Sequence, residues 1–260
     1  KLIKSKKIMN ANQKLLIAIK DTSAAGWEER GKECYDVWGK EFEKLGVNLI
    51  FLKENPSLDV DYVYKEKTLY SKAPVSKDGI FYKYVYYPFE WFIKETKYEY
   101  LAIVDSDTFV HPQRFLDRFK FWREEYPQIE LIGSALPIRE WNFLNPHLQI
   151  LLKEDKYWPS GCLFVVKRSL INKFIIEFDF ELDELVHEWE DYTLGKFCCK
   201  RNIPLLHDSS ICFQSPHESA QVFNPSSIPI PSIGSSEGSH LIAQHYLSGK
   251  MDEIFKNLFA

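Results

Sequence analysis

The chain lacks the glycine-rich loops by which the commonest nucleotide enzymes hold phosphates. Its 260 residues contain no complete G-x-x-x-x-G-K-[ST], since Gly26–Lys32 (GWEERGK) is followed by Glu33, and no G-x-G-x-x-G, which argues against a P-loop NTPase and against a dinucleotide enzyme. H-E-x-x-H is missing too, and with it the common metalloprotease signature. No apolar run approaches the roughly 20 residues that span a bilayer. The basic stretch Lys1 to Lys7 runs into polar residues rather than into a signal-peptide core. Excess positive charge is lacking as well: Lys+Arg 33 against Asp+Glu 37 gives a formal charge of -4, with no electrostatic reason to expect nucleic acid as a partner. The five cysteines (Cys34, Cys162, Cys198, Cys199, Cys212) are odd in number and have no metal-ligand spacing. They read as reduced thiols in a reducing compartment, so the expectation is a soluble cytoplasmic protein, at most peripheral to a membrane.

What is present is a large apolar share, 45% with 15% aromatic, enough for a substantial core. Leu15–Ile19 reads as a buried strand, 27–45 as a helix ended by Gly46, and Asn48–Leu52 as a second strand. That order predicts a parallel pair joined by a crossover, the opening of a Rossmann-like half. A helix over 82–95 leads into the strand Tyr100–Val104, another opens at His111-Pro112 and runs to about 125, and 129–135 is a further strand. The pattern then loosens over 139–157, which suits a loop or short helix above a cleft. Gly161–Val166 restores a strand, Ser169 is placed to cap a helix to Ile176, and 188–201 reads as another helix. The proline- and serine-rich stretch 216–238 reads as an ordered loop or lid before one terminal helix.

Three places carry candidate chemistry. Asp105-Ser106-Asp107 ends the apolar run Tyr100–Val104, and a strand that delivers two carboxylates to its C-terminal end offers a hard divalent cation oxygen ligands while leaving room for substrate phosphates. The same residues would also serve as a cap for the helix at His111. Glu188–Gly195 (EWEDYTLG) is a second acidic cluster, able to supply a general base or simply to complement a helix N-terminus. Lys20-Asp21-Thr22 follows the first strand at the sheet edge where α/β folds bind nucleotides. Of the seven histidines, His217 and His240 flank the proline- and serine-rich stretch, from which a third metal ligand could return to the aspartates.

Taken in order, these pieces resemble the GT-A glycosyltransferases of the Fringe and β-1,3-galactosyltransferase group, nearly end to end. Ile17–Thr22 (IAIKDT) resembles that group's first strand and uridine-contacting turn, and Val37-Trp38 falls where its first helix carries a Thr-Trp pair. Tyr100–Val110 (YLAIVDSDTFV) resembles the strand ending in its acidic motif, and Pro159–Val166 (PSGCLFVV) the strand lining its donor and acceptor cleft. Glu190–Gly195 (EDYTLG) resembles its Glu-Asp-x-x-x-Gly block, Cys212–His217 its Phe-His-Ser-His segment, and Ser239–Gly249 its terminal helix.

The resemblance implies a mixed, mainly parallel GT-A sheet flanked by helices, in one domain over 1–260. A nucleotide-binding half would cover about 14–136 and an acceptor half about 137–260. It implies transfer of a sugar from a UDP-linked donor to a glycan hydroxyl, with Mn²⁺ or Mg²⁺ as cofactor and inversion at the anomeric carbon. Asp191 would be the base; Lys20, Thr22, Lys83, Asp105 and Ser106 would contact the donor. Asp105, Asp107 and His217 would hold the metal, and Trp158, Gly161 and Glu190 would line the cleft. Pro216 occupies the ungapped position of the ligand histidine, so His240 rivals His217. Only one glycine of the group's pair is kept, at Gly161, and the secretory disulfide cysteines are not evident, which favours a microbial or viral relative. The alternatives are a retaining GT-A enzyme, or a non-catalytic module that binds glycans through aromatics around Trp141 and Trp158.

Overall fold

The computed structural model describes residues 11–24, 27, 29–76, 79–136, 148–153, 157–180, 190–212 and 241–244. The strands among them are β1 (Leu15–Lys20), β2 (Asn48–Glu54), β3 (Tyr62–Lys65), β4 (Thr68–Ser71), β5 (Tyr100–Val104), β6 (Phe109–Val110), β7 (Leu131–Leu136), β8 (Leu148–Leu151), β9 (Trp158–Lys167), β10 (Leu205–Asp208), β11 (Ile211–Cys212) and β12 (Ala243–Gln244). The helices are α1 (Arg30–Cys34) and α2 (Lys40–Lys44), joined through a π-helical turn at Tyr35–Gly39, then α3 (Tyr87–Glu95), preceded by a π-helical turn at Tyr82–Tyr86, α4 (Pro112–Glu125), α5 (Arg168–Glu177) and α6 (Glu190–Lys200).

Nine strands form one sheet in the order β3-β4-β2-β1-β5-β9-β7-β10-β8, and β11-β12-β6 form a small second sheet, among the described residues. In the large sheet β4, β2, β1, β5, β7 and β10 run one way and β3, β9 and β8 the other. It is the mixed, mainly parallel α/β architecture that the resemblance implies, and β1 and β2 are the parallel pair that the order of strand, helix and strand predicts.

Alternation along β1 sorts the core. Leu15, Ile17 and Ile19 face a cluster with Trp38, Phe42, Phe115, Phe119 and Trp122; Leu16 and Ala18 face the other, with Phe89, Phe92, Phe174 and Phe197. Helices α1, α2 and α4 therefore cover one face and α3, α5 and α6 the other, each burying its apolar stripe against the sheet. Because side chains alternate in a strand, Lys20 follows Leu16 and Ala18 onto the α6 face, and Asp105 follows Leu101 and Ile103 there.

Several local expectations change. Helix α5 begins after Lys167, which is its N-cap, so Ser169 lies inside the first turn and its hydroxyl bonds Glu130 instead. A strand, β8, occupies part of the stretch read as loop or short helix, and pairs antiparallel with β10. Within the stretch read as a terminal helix, Ala243–Gln244 is a strand between β11 and β6. The backbone groups of 109–110 and 211–212 need partners there, and an extended segment supplies them. The stretch 216–238 lies outside the described residues.

Candidate functional site

Strand register assembles the site. Ile19 pairs with Val104 in the β1–β5 ladder and Val104 with Leu163 in the β5–β9 ladder, so one residue further Lys20 lies beside Asp105. The Asp105 amide donates to the Cys162 carbonyl at 3.1 Å, which sets Asp105 next to Gly161. Glu190 and Asp191 open α6 and come down on the same spot. The reason is their spacing from Gly195, four residues after Asp191 and so on the same helix face. A Cβ on Gly195 would stand 2.3 Å from Trp158 Cβ, so only glycine lets α6 close on β9 at that point. The Trp158 and Tyr192 rings meet edge-on at 4.8 Å and fix the approach.

The result is a cluster around Gly161. A Cβ there would lie 3.2 Å from Lys20 Nζ and 3.3 Å from both Asp105 Oδ2 and Asp191 Oδ2. Lys20 Nζ is 2.6 Å from Asp105 Oδ1, pairs with Glu190 and donates to the Gly161 carbonyl at 3.2 Å. Burial pulls the pKa of this ammonium down, but Asp105, Glu190 and Asp191 more than offset that and hold it above the ordinary lysine value. Asp191 is pushed the other way for a carboxyl, up to about 7, first by burial and then by the Glu190 charge, against the opposing pull of Lys20. Its Oδ1 accepts from the Tyr192 amide at 2.7 Å, leaving Oδ2 toward Gly161. The two acids thus occupy a helix first turn, as the capping alternative had it, but they are also buried against a strand-end carboxylate.

Asp107 lies on the far side of the turn. The Thr108 amide donates to the Asp105 carbonyl at 3.1 Å, while the Cys34 thiol donates to the Ser106 carbonyl at 3.1 Å and Trp38 Nε1 to the Thr108 carbonyl at 3.1 Å. Burial, then the Asp107 charge, pushes the Cys34 thiol well up, so it stays a neutral donor. Asp107 is buried and pairs with Arg30 at 3.4 Å, whose guanidinium stacks 3.7 Å from the centre of the Trp27 ring. The N-cap of α4 is His111, so neither aspartate is consumed as a cap.

Thr22 and Lys83 are brought together by a residue that sequence inspection passed over. Glu54, at the end of β2, accepts from Thr22 Oγ1 at 2.9 Å, from the Ser23 amide and hydroxyl, each at 2.7 Å, and from Lys83 Nζ at 2.7 Å. Its side chain is 0% exposed and that of Lys83 3%. The signal that would have found it is the one that singled out Asp105: an acid at the C-terminal end of a buried strand.

Asp105 and Asp107 are hard carboxylate donors of the kind that suits Mg²⁺ or Mn²⁺, and each now faces a side-chain cation, Lys20 and Arg30. Among the described residues no group of three or more His, Cys, Asp or Glu side chains is placed to hold a metal ion. His217, His240, Pro216 and Trp141 lie outside the described residues.

No protein-family model and no curated protein matches the sequence. Among solved structures the chain is similar to a glycosyltransferase involved in the glycosylation of the major capsid of PBCV-1, at TM-score 0.51 and 12% identity, over 94% of this chain and 98% of that one. The fold is GT-A-like, a mixed, mainly parallel sheet flanked by helices. Weaker likenesses reach the inositol-1-phosphate CTP transferase from T. maritima (TM-score 0.44, 10% identity, 76% of this chain and 85% of that one) and A197 from STIV (TM-score 0.41, 12% identity, 75% and 82%). In this GT-A-like fold the acid cluster sits at the C-terminal edge of β1 and β5, where open α/β sheets bind ligands. No helix among the described residues is long and apolar enough to cross a membrane.

Proposed function

We propose that the chain is a metal-dependent, inverting glycosyltransferase of the Fringe and β-1,3-galactosyltransferase type, moving a hexose from a UDP-sugar to a glycan hydroxyl. The observation that carries this is the convergence at Gly161, where Asp105 from a strand end and Asp191 from a helix start come within 3.3 Å of one Cβ position. A metal-side carboxylate and a proton-accepting carboxylate on one small surface are what in-line sugar transfer requires.

Asp105 and Asp107 would hold the Mn²⁺ or Mg²⁺, with His217 or His240 as third ligand, and the ion when bound supplies charge neutralisation to the departing diphosphate. Asp191 takes the proton of the acceptor hydroxyl as that oxygen bonds to the anomeric carbon. The bond from that carbon to the diphosphate oxygen breaks, and its electron pair leaves with UDP. Thr22, Lys83 and Ser106 orient the nucleotide, Lys20 holds Asp105 and Glu190 in place, and Trp158, Gly161 and Glu190 shape the acceptor side.

Asp191 must be ionised to accept a proton, and its folded-state pKa is raised to about 7. The expected pH profile of kcat/KM therefore rises about tenfold per pH unit at acidic pH and levels off above about 7. A profile flat from pH 5 to pH 8 would remove Asp191 from this role. Proton NMR of the first product formed should show the anomeric configuration inverted relative to the donor. A retained configuration would favour the retaining alternative.

A further inference from the structure

Lys20 carries more than a nucleotide contact. Its side chain is only 6% exposed, and its three ammonium hydrogens face three oxygens: Asp105 Oδ1 at 2.6 Å, the Gly161 carbonyl at 3.2 Å and Glu190 Oε1. The rings of Tyr84 and Phe164, with centres at 5.5 and 5.9 Å, stand beside it. An ammonium has three donors and no acceptor, so this seat uses it fully. The seat is also of the kind a hard metal ion takes, carboxylate and carbonyl oxygens around one point.

We propose that Lys20 is a resident cation that competes with the divalent ion for Asp105. The inference rests on the assignment of Asp105 and Asp107 to the metal. Without the ammonium, the Asp105 carboxylate would lose the cation it now pairs with and would hold a divalent ion with Asp107 whether or not a donor were present. With it, the metal is held weakly until the diphosphate of the donor brings further negative charge, so metal loading and donor binding go together. Lys20 is in this sense a positioning residue that sets when the metal binds.

The test is a titration with Mn²⁺ alone, followed by electron paramagnetic resonance of the free ion, on the wild-type chain, Lys20→Met and Lys20→Arg. Lys20→Met is expected to bind Mn²⁺ at least ~10-fold more tightly, because a positive charge beside a divalent ion is removed from a poorly screened site. Lys20→Arg keeps the charge and should stay near wild type. Equal or weaker binding by Lys20→Met, where the wild type does bind, overturns the inference and leaves the metal assignment standing. No Mn²⁺ binding by any of the three overturns both. Should Lys20→Met fail to fold, ¹⁵N NMR of the lysine ammonium groups in the wild-type chain titrated with Mg²⁺ decides instead. The Lys20 signal should move or broaden as Mg²⁺ binds, and a signal unchanged at saturation contradicts the proposal.

Discussion

Replacing Asp191 with asparagine is expected to lower sugar transfer by about 10²–10⁴-fold, the range that a positioned general base contributes. The substitution is nearly isosteric, and an amide oxygen can still accept from the Tyr192 amide, now at 2.7 Å. Only the capacity to take a proton goes. Burying an amide where burial has pushed a carboxyl up to about 7 costs nothing extra, so Asp191→Asn should unfold at or above the wild-type temperature and should still bind UDP with Mn²⁺. Steady-state transfer assays beside calorimetry separate these quantities, and near-wild-type kcat would eliminate Asp191 as the base. Glu190→Gln gives a finer handle. Glu190 raises the Asp191 pKa and ties up Lys20, so its neutralisation should carry the acidic limb of the pH profile to lower pH.

The second large effect concerns stability. Glu54→Ala is expected to destabilise the fold by about 3–5 kcal/mol, because it leaves Lys83 buried without its counter-charge. With about 2–4 °C lost per kcal/mol in a chain of this size, Tm should fall on the order of 10 °C. Burial alone would raise the Glu54 pKa, yet Lys83 and the Ser23 amide and hydroxyl hold it down to about 2. A depressed carboxylate contributes stability above its unfolded value, near 4.5, and loses that contribution as pH falls toward 2. Urea unfolding at pH 7 and pH 3 should therefore show a smaller difference between wild type and Glu54→Ala at the lower pH. The double variant Glu54→Leu with Lys83→Met should recover much of the loss. A single-variant cost under about 1 kcal/mol would mean that the pair is not buried as described.

Much of this was legible because the sheet centre writes itself in buried runs. Leu15–Ile19, Asn48–Leu52, Tyr100–Val104 and Gly161–Val166 stand out as apolar stretches; the acids at 105 and 107 stand out because they follow one, and those at 190 and 191 because they cluster at a helix start. The β3–β4 hairpin was not legible. Its turn places Glu66 and Lys67 at φ 50 and 63°, a conformation usually announced by glycine or asparagine, and its outer strand is largely exposed. Ser169 looked like a cap because serine commonly is one, yet here its hydroxyl meets Glu130 across the loop. The Glu54–Lys83 pair was hidden for another reason. Each residue alone is an ordinary charge, and only the neighbouring of β2 with the helical turn at 82–86 makes them one buried unit.

Gly195 shows how a motif becomes geometry. In the sequence it is the last residue of a short acidic block. In the structure it is the point where α6 touches Trp158 without a side chain between, and that contact brings Asp191 to Gly161. The spacing of acid and glycine is a helix turn used as a lever arm.

The central claim, a nucleotide-sugar site built on Asp105 and Asp107, is tested most directly by the thermal unfolding of the wild-type chain with UDP and Mn²⁺. Ligand at about 100 times its Kd stabilises the folded state by about 2.7 kcal/mol, so Tm should rise by roughly 5–10 °C. The rise should shrink with EDTA and in Asp107→Ala. An unchanged Tm with UDP and every other nucleoside diphosphate, with and without Mn²⁺, would contradict it.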